Sequence, residues 1–356
     1  MLSPAPAKVG RRAAILSRGP TPLLLLALLL VTSMLVALGI GSVTVPVRDV
    51  LDVVVRRAGW HTDASLLDDQ IVWQLRMPRV LGAAAAGAGL AVAGTVLQSL
   101  TRNDLADPYL LGISGGASVG AVSVIVLGVG FAGLVSASMI TLGAFAGAVA
   151  ALVLVLALAT GRSGALAPSR TVLAGVAVGQ ICAAFTSFVV IMSGDHDAAR
   201  RVLSWTLGSL AGLRWHSTLF LVVVALLALL LILSFSSTLD AFAFGEAAAG
   251  SLGVSVGATR WTLLIGTALL TACLVAFTGA IGFVGLVVPH VVRLTCGPLH
   301  GRLLPLSALG GATLLVWSDT VARSLVDGQE IPIGVVTAVV GAPVFAWLLR
   351  RESRTA

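Results

Sequence analysis

Residues 76–120 read RMPRVLGAAAAGAGLAVAGTVLQSLTRNDLADPYLLGISGGASVG, and this stretch decides the fold. Two arginines around a proline open it, and a run of small apolar residues long enough to cross a membrane follows. The charged sequence TRNDLADP at 101–108 then interrupts the apolar pattern, and a segment rich in glycine and serine comes after it. Because Asn, Asp and Pro favour turns over helix, the stretch predicts two membrane spans joined by a polar turn.

The composition of the whole chain is that of a membrane protein. Hydrophobic residues make up 58% of the 356 residues and charged residues 10%, whereas soluble domains carry about 25% charged residues. Recurrent apolar runs predict an all-α polytopic protein with about ten transmembrane helices. They lie at 22–40, 80–100, 113–130, 137–160, 171–192, 217–235, 261–280, 281–294, 304–321 and 333–349.

An even number of spans places both termini on the same side of the membrane. With the N-terminus inside, thirteen of the 22 Lys and Arg residues fall in inner segments and nine in outer ones, as the positive-inside rule requires. We therefore expect a cytoplasmic N-terminal segment at 1–20, a single transmembrane domain at 21–350 and a cytoplasmic tail at 351–356. Within that domain, 42–75 is expected to be external, and 236–260 to be an inner loop of one or two short helices.

Several classes of function are excluded by what the sequence lacks. Its one lysine, Lys8, cannot complete a GxxxxGK[ST] loop, so the chain carries no Walker-type ATP site. Cys182, Cys273 and Cys296 stand singly, without the spacing of a disulfide framework or a zinc site. No combination of nucleophile, base and orienting group is present, and we expect no catalytic residue, cofactor or metal site. The net charge of +7 is spread over short loops, which predicts contact with membrane lipid and none with nucleic acid.

Five motifs stand in an order and spacing that a known family shares. They are RMPR (76–79), GTVLQSLTRNDLADPYLLGISGGA (94–117), LDAFAFGEAAAGSLGV (239–254), GAIGFVGLVVPHVVRL (279–294) and SDTVARSLVDGQEIPIGVVTAVVGAPVF (318–345). Together they resemble the FecCD-type permeases, the membrane subunits of ABC importers for ferric siderophores, haem and vitamin B12. The chain departs from the family pattern at Asp104, where these permeases usually have proline.

The resemblance implies a type II ABC importer permease fold and a dimer formed with a second copy or a paralogue. It also implies two cytoplasmic ABC ATPase subunits and an extracytoplasmic substrate-binding lipoprotein as partners. ATP is hydrolysed on the partner subunit in such systems, so the chain itself is not expected to be an enzyme. The implied localisation is the cell membrane, with multiple spans and both termini cytoplasmic.

Three arginines are expected at the outer face, Arg76 and Arg79 where the second span begins and Arg323 where the ninth ends. In similar permeases, arginines at these positions pair with glutamates of the binding protein. Arginine suits this task because its planar fork binds a carboxylate through two parallel hydrogen bonds. Anchoring to lipid headgroups is the alternative for arginines at a membrane interface.

Residues 239–254 resemble the coupling helices that sit in a groove of the ATPase. The resemblance assigns this role to Leu239, Asp240, Phe242, Gly245, Glu246, Leu252 and Gly253. A simple connector is the alternative, but it would need neither this length nor the pair Phe242 and Phe244. Taken singly, the carboxylates of Asp240 and Glu246 are interpreted as capping and solvating groups.

Two inner loops resemble the gate of these permeases, TRNDLADP at 101–108 and GALAPSR at 164–170. The gate and pathway residues are expected at Asn103, Leu105, Pro168 and Ser169. If TRNDLADP is only a tight turn, substitution of Leu105 has no effect on transport.

These patterns predict a permease that moves a ferric siderophore into the cytoplasm, driven by ATP hydrolysis on a partner subunit. Haem and vitamin B12 are the alternatives within the family. The sequence does not distinguish these cargoes, because a wide path lined by small apolar residues has no side chains specific for one ligand. An ion-coupled secondary transporter is a more distant alternative. That mechanism usually needs ionisable residues within the spans, and 80–100 and 137–160 have none in their interiors.

Overall fold

The computed structural model describes residues 21–41, 43–128, 136–161, 166–326 and 328–352. Throughout these ranges the regular structure is helical, apart from two isolated β-bridges. The predicted N-terminal segment 1–20 and the last residues of the predicted tail, 353–356, lie outside the described residues.

The first half of the fold runs from the first span to the fifth. Its helices are α1 (Thr21–Gly39), α2 (Val47–Arg57), α3 (Leu66–Asp69), α4 (Met77–Thr101), α5 (Ile113–Ile125), α6 (Ala137–Ala159) and α7 (Pro168–Ser193). A π-helical segment, Gln70–Arg76, joins α3 to α4, and a 3₁₀ turn, Pro108–Leu111, precedes α5.

The second half contains the remaining spans and the predicted inner loop. Its helices are α8 (His196–Thr206), α9 (Trp215–Leu233), α10 (Ser236–Ala243), α11 (Glu246–Ser251), α12 (Val256–Thr278), α13 (Val284–Cys296), α14 (His300–Ala322) and α15 (Ile333–Glu352). The two short helices α10 and α11 confirm the helices expected in the 236–260 loop, and its place on the inner side stays a prediction.

Each of the ten predicted spans coincides with a helix. By length and composition, six helical segments among the described residues are able to cross a membrane, namely α1, the continuous rod from α3 to α4, α6, α7, α9 and α12. Three shorter apolar helices, α5, α13 and α15, and the 23-residue α14 account for the other four predicted spans.

The predicted span at 281–294 starts too early. Helix α13 begins at Val284, because Gly279 and Phe283 both have φ of 69° and break the helical path. The Tyr109 hydroxyl fixes this break: it accepts from the Ile281 N–H at 2.8 Å and donates to the Ile281 carbonyl at 3.0 Å. The span at 113–130 also ends earlier than predicted, at Ile125.

Helix α4 lies at the centre of the bundle, packed against α9, α12, α13 and α14. Its small residues allow backbones to touch. A Cβ placed on Gly94 would lie 1.9 Å from the carbonyl oxygen of Gly285 on α13, so only glycine permits this approach. The pair α5 and α6 meets in the same way, with Gly120 against Gly143.

Two ends of the bundle are defined by α4, whose 25 residues extend over about 37 Å at the usual helical rise. The arginine end is the one that carries Arg76, Arg79 and Arg323. The loop end is the opposite one, formed by residues 101–112, 166–169 and 236–255.

The external segment predicted at 42–75 is folded onto the arginine end. Val50 and Val53 of α2 are fully buried, and Trp73 stacks on Trp215 with ring centroids 4.9 Å apart. The Arg57 guanidinium lies 5.5 Å from the Trp73 ring and also pairs with Asp69. Residues of this segment therefore hold the start of α9 in place.

Because Gly94 touches the backbone of α13, we expect Gly94→Ala and Gly266→Ala to change the free energy of unfolding differently. Gly94→Ala inserts a methyl group against backbone and should lower the free energy of unfolding by about 1–3 kcal/mol, as overpacking does. Gly266→Ala on α12 has open space around its new Cβ and should be neutral or stabilising by up to about 1 kcal/mol. Thermal unfolding of the two variants in the same detergent checks the difference; equal melting temperatures would contradict the packing at Gly94.

Candidate functional site

The three arginines predicted for docking come together at the arginine end. Arg76, Arg79 and Arg323 line one cleft of about 670 Å³, which Arg214 and Glu330 also line. The cleft is built from the start of α4, the end of α14 and the residues before α9 and α15. Each arginine also has partners within the chain, which sequence reasoning did not foresee.

Arg79 binds two carboxylates. Its Nε lies 2.9 and 3.0 Å from the two oxygens of Asp319, and its Nη1 donates to Glu330 at 2.8 Å. Asp319 is 1% exposed, whereas the side chain of Glu330 is 49% exposed. The Asp319 carboxylate is thus an internal counter-ion, and Glu330 covers the outer edge of the same guanidinium.

Arg76 and Arg323 fasten α1 to the rest of the bundle. Arg76 donates to the Leu38 carbonyl at 2.7 Å and to the Val43 carbonyl, and Arg323 donates to the Ala37 carbonyl. The last carbonyls of a helix lack partners within it, so these bonds satisfy the end of α1. Both arginines are largely buried, and a structural role accounts for their hydrogen bonds.

A second cavity, of about 1030 Å³, opens at the arginine end beside the first. Helix α8 supplies Arg200, Arg201 and Asp197, and the loop before α9 supplies Arg214, which lines both cavities. The rest of the lining is largely apolar, with Ile140, Leu142 and Leu213 beside the aromatic rings of Trp205 and Phe277, and hydroxyl groups such as those of Ser138, Thr141, Ser204 and Ser217 stand among them. Three guanidinium groups and one carboxylate line this cavity, and Asp195 lies 3.7 Å from Arg201, so the cavity is cationic with one of its arginines paired.

Sequence reasoning missed this cavity because it did not predict α8. That helix is short and polar, and it lies between two long apolar runs that dominate the hydropathy pattern. The signal that existed was Asp195, whose carboxylate accepts from the Asp197 N–H at 2.9 Å as an N-terminal cap.

At the loop end, the polar turn after α4 is held by its own side chains. Asn103 Oδ1 accepts from the Leu105 N–H at 2.9 Å. Leu105 itself is 42% exposed. Asp104, which replaces the usual proline, pairs with Arg293 of α13, and its other oxygen lies 3.8 Å from His290 Nδ1. An ion pair to α13 thus ties this turn to the bundle.

The two predicted gate segments lie against each other. Pro168, the first residue of α7, and Ala106 and Leu110 after α4 line one small apolar cavity. Leu105 and Ser169 are exposed at the loop end and do not line this cavity. The structure therefore brings the two segments together, with Leu105 and Ser169 on their accessible side.

The 236–260 loop is anchored by two of its predicted coupling residues and exposes others. Leu239 and Phe242 are 0% and 1% exposed, whereas Phe244 and Leu252 are 79% and 70% exposed. Gly245 and Gly253 have φ of 99° and 84°, a conformation that favours glycine and ends each short helix. The loop is a fixed element with an apolar outer surface.

Asp240 and Glu246 both have partners within the chain, which their interpretation as capping and solvating groups did not include. Asp240 accepts from the backbone N–H of His300 at 2.8 Å and lies 2.6 Å from its ring Nδ1, so it caps α14 and not its own helix. Glu246 accepts from Arg260 Nη2 at 2.8 Å. This hydrogen bond holds the pKa of Glu246 below its usual range, so the carboxylate stays ionised at neutral pH.

Asp319 and Glu330 both bind Arg79, but we expect neutralisation of each carboxylate to lower the free energy of unfolding by a different amount. Asp319→Asn leaves Arg79 and Arg323 without their buried counter-ion and should cost about 3–5 kcal/mol of unfolding free energy. Glu330→Gln removes a half-exposed carboxylate from the same guanidinium and should cost about 0–1 kcal/mol. Denaturation of both variants under one set of conditions measures the difference, and an equal loss would mean that Asp319 is not the internal counter-ion.

Comparison with known proteins supports one family. The FecCD transport family model matches residues 28–351. A vitamin B12 import system permease of Vibrio cholerae is 42% identical over 288 residues, covering 81% of this chain and 85% of that protein. A hemin transport system permease of Yersinia pestis is 37% identical over 335 residues, covering 93% and 96%.

A solved structure gives the same result for the fold. An inward-facing conformation of a metal-chelate type ABC transporter superposes with a TM-score of 0.81 and 32% identity, covering 94% of this chain and all of that one. Permeases of this kind are not enzymes, since ATP is hydrolysed on a partner subunit. The chain belongs to the FecCD transport family and is a multi-pass membrane permease subunit of an ABC importer.

Proposed function

We propose that this permease carries an anionic iron chelate, a ferric siderophore, into the cytoplasm. The cationic cavity formed by Arg200, Arg201 and Arg214 is the observation that carries this proposal. Guanidinium groups recognise carboxylates and other oxygen anions, and hydroxyl groups and aromatic rings accommodate the rest of a bulky chelate. The similarity to a metal-chelate type transporter points to the same class of cargo.

The proposed orientation places the arginine end outside and the loop end in the cytoplasm, with both termini cytoplasmic. The excess of Lys and Arg in the inner segments supports it, thirteen of 22 in this orientation. An extracytoplasmic binding lipoprotein would then dock over the arginine end. Because Arg214 lines both cavities, a chelate released there has a short route from one to the other.

Docking through Arg76, Arg79 and Arg323 remains part of the proposal, with Arg79 as the most accessible contact. Glu330 is half-exposed and covers Arg79, so a glutamate of the binding protein would replace Glu330 on that guanidinium. Arg76 and Arg323 would support docking indirectly, because their hydrogen bonds hold α1 and the rim of the cleft in position.

On the cytoplasmic side, ABC ATPase subunits are proposed to bind the 236–260 loop. Exposed Phe244 and Leu252 suit an apolar groove, while buried Leu239 and Phe242 keep the loop rigid enough to transmit motion. Gly245 and Gly253 set its bends. Asn103, Leu105, Pro168 and Ser169 are proposed to form the gate that closes the path between two permease subunits, the second being another copy or a paralogue.

Haem is the second candidate cargo. The hemin permease of Yersinia pestis matches 93% of the chain, and the propionates of haem would meet the same arginines. Vitamin B12 is the third, since the Vibrio cholerae relative is a vitamin B12 permease.

The test is chelate-dependent ATP hydrolysis by the permease reconstituted in liposomes with its co-purifying ATPase and binding protein. Ferric siderophores of hydroxamate and catecholate type, haem and cobalamin are supplied in parallel. Stimulation by a ferric siderophore alone supports the proposal. Stimulation by haem or cobalamin alone overturns the choice of cargo, and no response to any of them overturns the role of this chain in chelate import.

The charge of the cavity predicts a cargo-dependent effect of one double substitution. Arg200→Gln combined with Arg214→Gln should raise the half-saturating concentration of an anionic ferric siderophore about fivefold, since each lost attraction is worth a fraction of 1 kcal/mol. Arg48→Gln on α2 neutralises an arginine at the same end that lines neither cavity, and should leave it unchanged. The titration of stimulated ATP hydrolysis measures the shift. A shift of equal size with both substitutions would show that overall charge, and not the cavity, is responsible.

A further inference from the structure

Arg260, near the start of α12, lies where the 236–260 loop meets the segment before α7. Its Nη2 donates to Glu246 at 2.8 Å, and its Nη1 donates to the carbonyl oxygen of Leu166 at 3.1 Å. The guanidinium carbon is also 5.9 Å from the centre of the Phe242 ring. One side chain thus contacts α10, α11 and the backbone ahead of α7.

These contacts join the two regions proposed for separate tasks, the ATPase contact and the gate. Glu246 opens α11, whereas Leu166 stands two residues before Pro168. We propose that Arg260 is a positioning residue that transmits displacement of α10 and α11, the helices of the 236–260 loop, to the gate segment 166–169. The inference rests on the proposed function in two respects, that the loop is the surface on which the ATPase acts and that residues 166–169 belong to the gate.

The rigid, planar guanidinium of Arg260 couples the position of Glu246 to that of Leu166. Its two Nη atoms lie in one rigid plane and serve different acceptors, so Glu246 cannot move far without breaking a bond or moving Leu166 with it. Lysine would carry the same charge on a single nitrogen and cannot hold both acceptors in this geometry. The substitution Arg260→Lys therefore keeps the positive charge but removes the simultaneous hydrogen bonds to Glu246 and Leu166.

The two acceptors differ in their access to a partner. The side chain of Glu246 is 45% exposed, so a subunit docked on the loop would reach its helix directly. Leu166 is 3% exposed, and its carbonyl receives any displacement from within the protein. A displacement of α11 would therefore start at the accessible Glu246 and reach the buried carbonyl of Leu166.

A second chain of contacts leaves the loop in another direction. Asp240 of α10 binds His300 at the start of α14, and the other ring nitrogen of His300 contacts Ser99 of α4. This route leads to α4 and α14, whereas the Arg260 route leads to the segment before α7. The two routes can be cut separately, which makes the role of Arg260 testable.

The test follows the gate segment and the loop by nitroxide labels in the complex with the co-purifying ATPase. Single cysteines are introduced at Ser169 or at Gly250, in a background where Cys182, Cys273 and Cys296 are replaced by alanine. ATP is the only ligand added, so the result does not depend on the identity of the cargo. In the parent protein, both labels are expected to change their spectra when ATP binds.

Arg260→Lys should keep the ATP response at position 250 and abolish most of the response at 169. Where a transported chelate is known, chelate moved per ATP hydrolysed should fall about tenfold, which corresponds to about 1.4 kcal/mol of lost coupling. Arg302→Lys, at an exposed arginine of the same end, should leave both responses unchanged.

Three results would overturn the inference. One is an unchanged ATP response at 169 in Arg260→Lys. Another is the loss of both responses together with a lower melting temperature, which would make Arg260 a structural contact alone. The third is the absence of any response at 169 in the parent protein, since a gate segment that does not move needs no link. A cargo other than a ferric siderophore leaves all three outcomes readable.

Discussion

Backbone contact between α4 and its neighbours is the constraint on which the rest of the structure depends. Gly94 meets the carbonyl of Gly285 on α13, and Gly87 meets the carbonyl of Gly311 on α14. Lipid tails offer no hydrophobic drive for helices to associate, so such close packing supplies the attraction. Helix α4 thereby becomes a fixed rod between the two ends, with Arg79 at one terminus and the polar turn at the other.

Ion pairs stand at both ends of this rod. Within the described residues, the pairs that join different elements at those ends include Arg79 with Asp319, Arg260 with Glu246, and Arg293 with Asp104. The last pair lies in the turn where the family resemblance leads us to expect proline and the chain has Asp104. A proline stiffens a turn by fixing φ, whereas Asp104 ties the same turn to α13 by an ion pair.

Hydropathy and motif order were enough to predict the spans, the central place of the 76–120 stretch and the short helices within 236–260. They were not enough for partners that are distant in sequence. Arg76 and Arg323 find carbonyls at the end of α1, and Glu246 finds Arg260, because tertiary packing brings these groups together. Helix α8 was missed because its eleven residues are low in hydropathy and lie between two long apolar runs, although their apolar positions do recur with helical spacing.

We propose a permease that receives an anionic chelate at the arginine end and ATP-driven motion at the loop end. Uptake of a radioactive ferric siderophore into liposomes, with ATP enclosed beside the ATPase and the binding protein outside, measures this directly. Accumulation that requires enclosed ATP, and that excess cobalamin does not reduce, is the predicted result. Accumulation of cobalamin with none of the siderophore would contradict it.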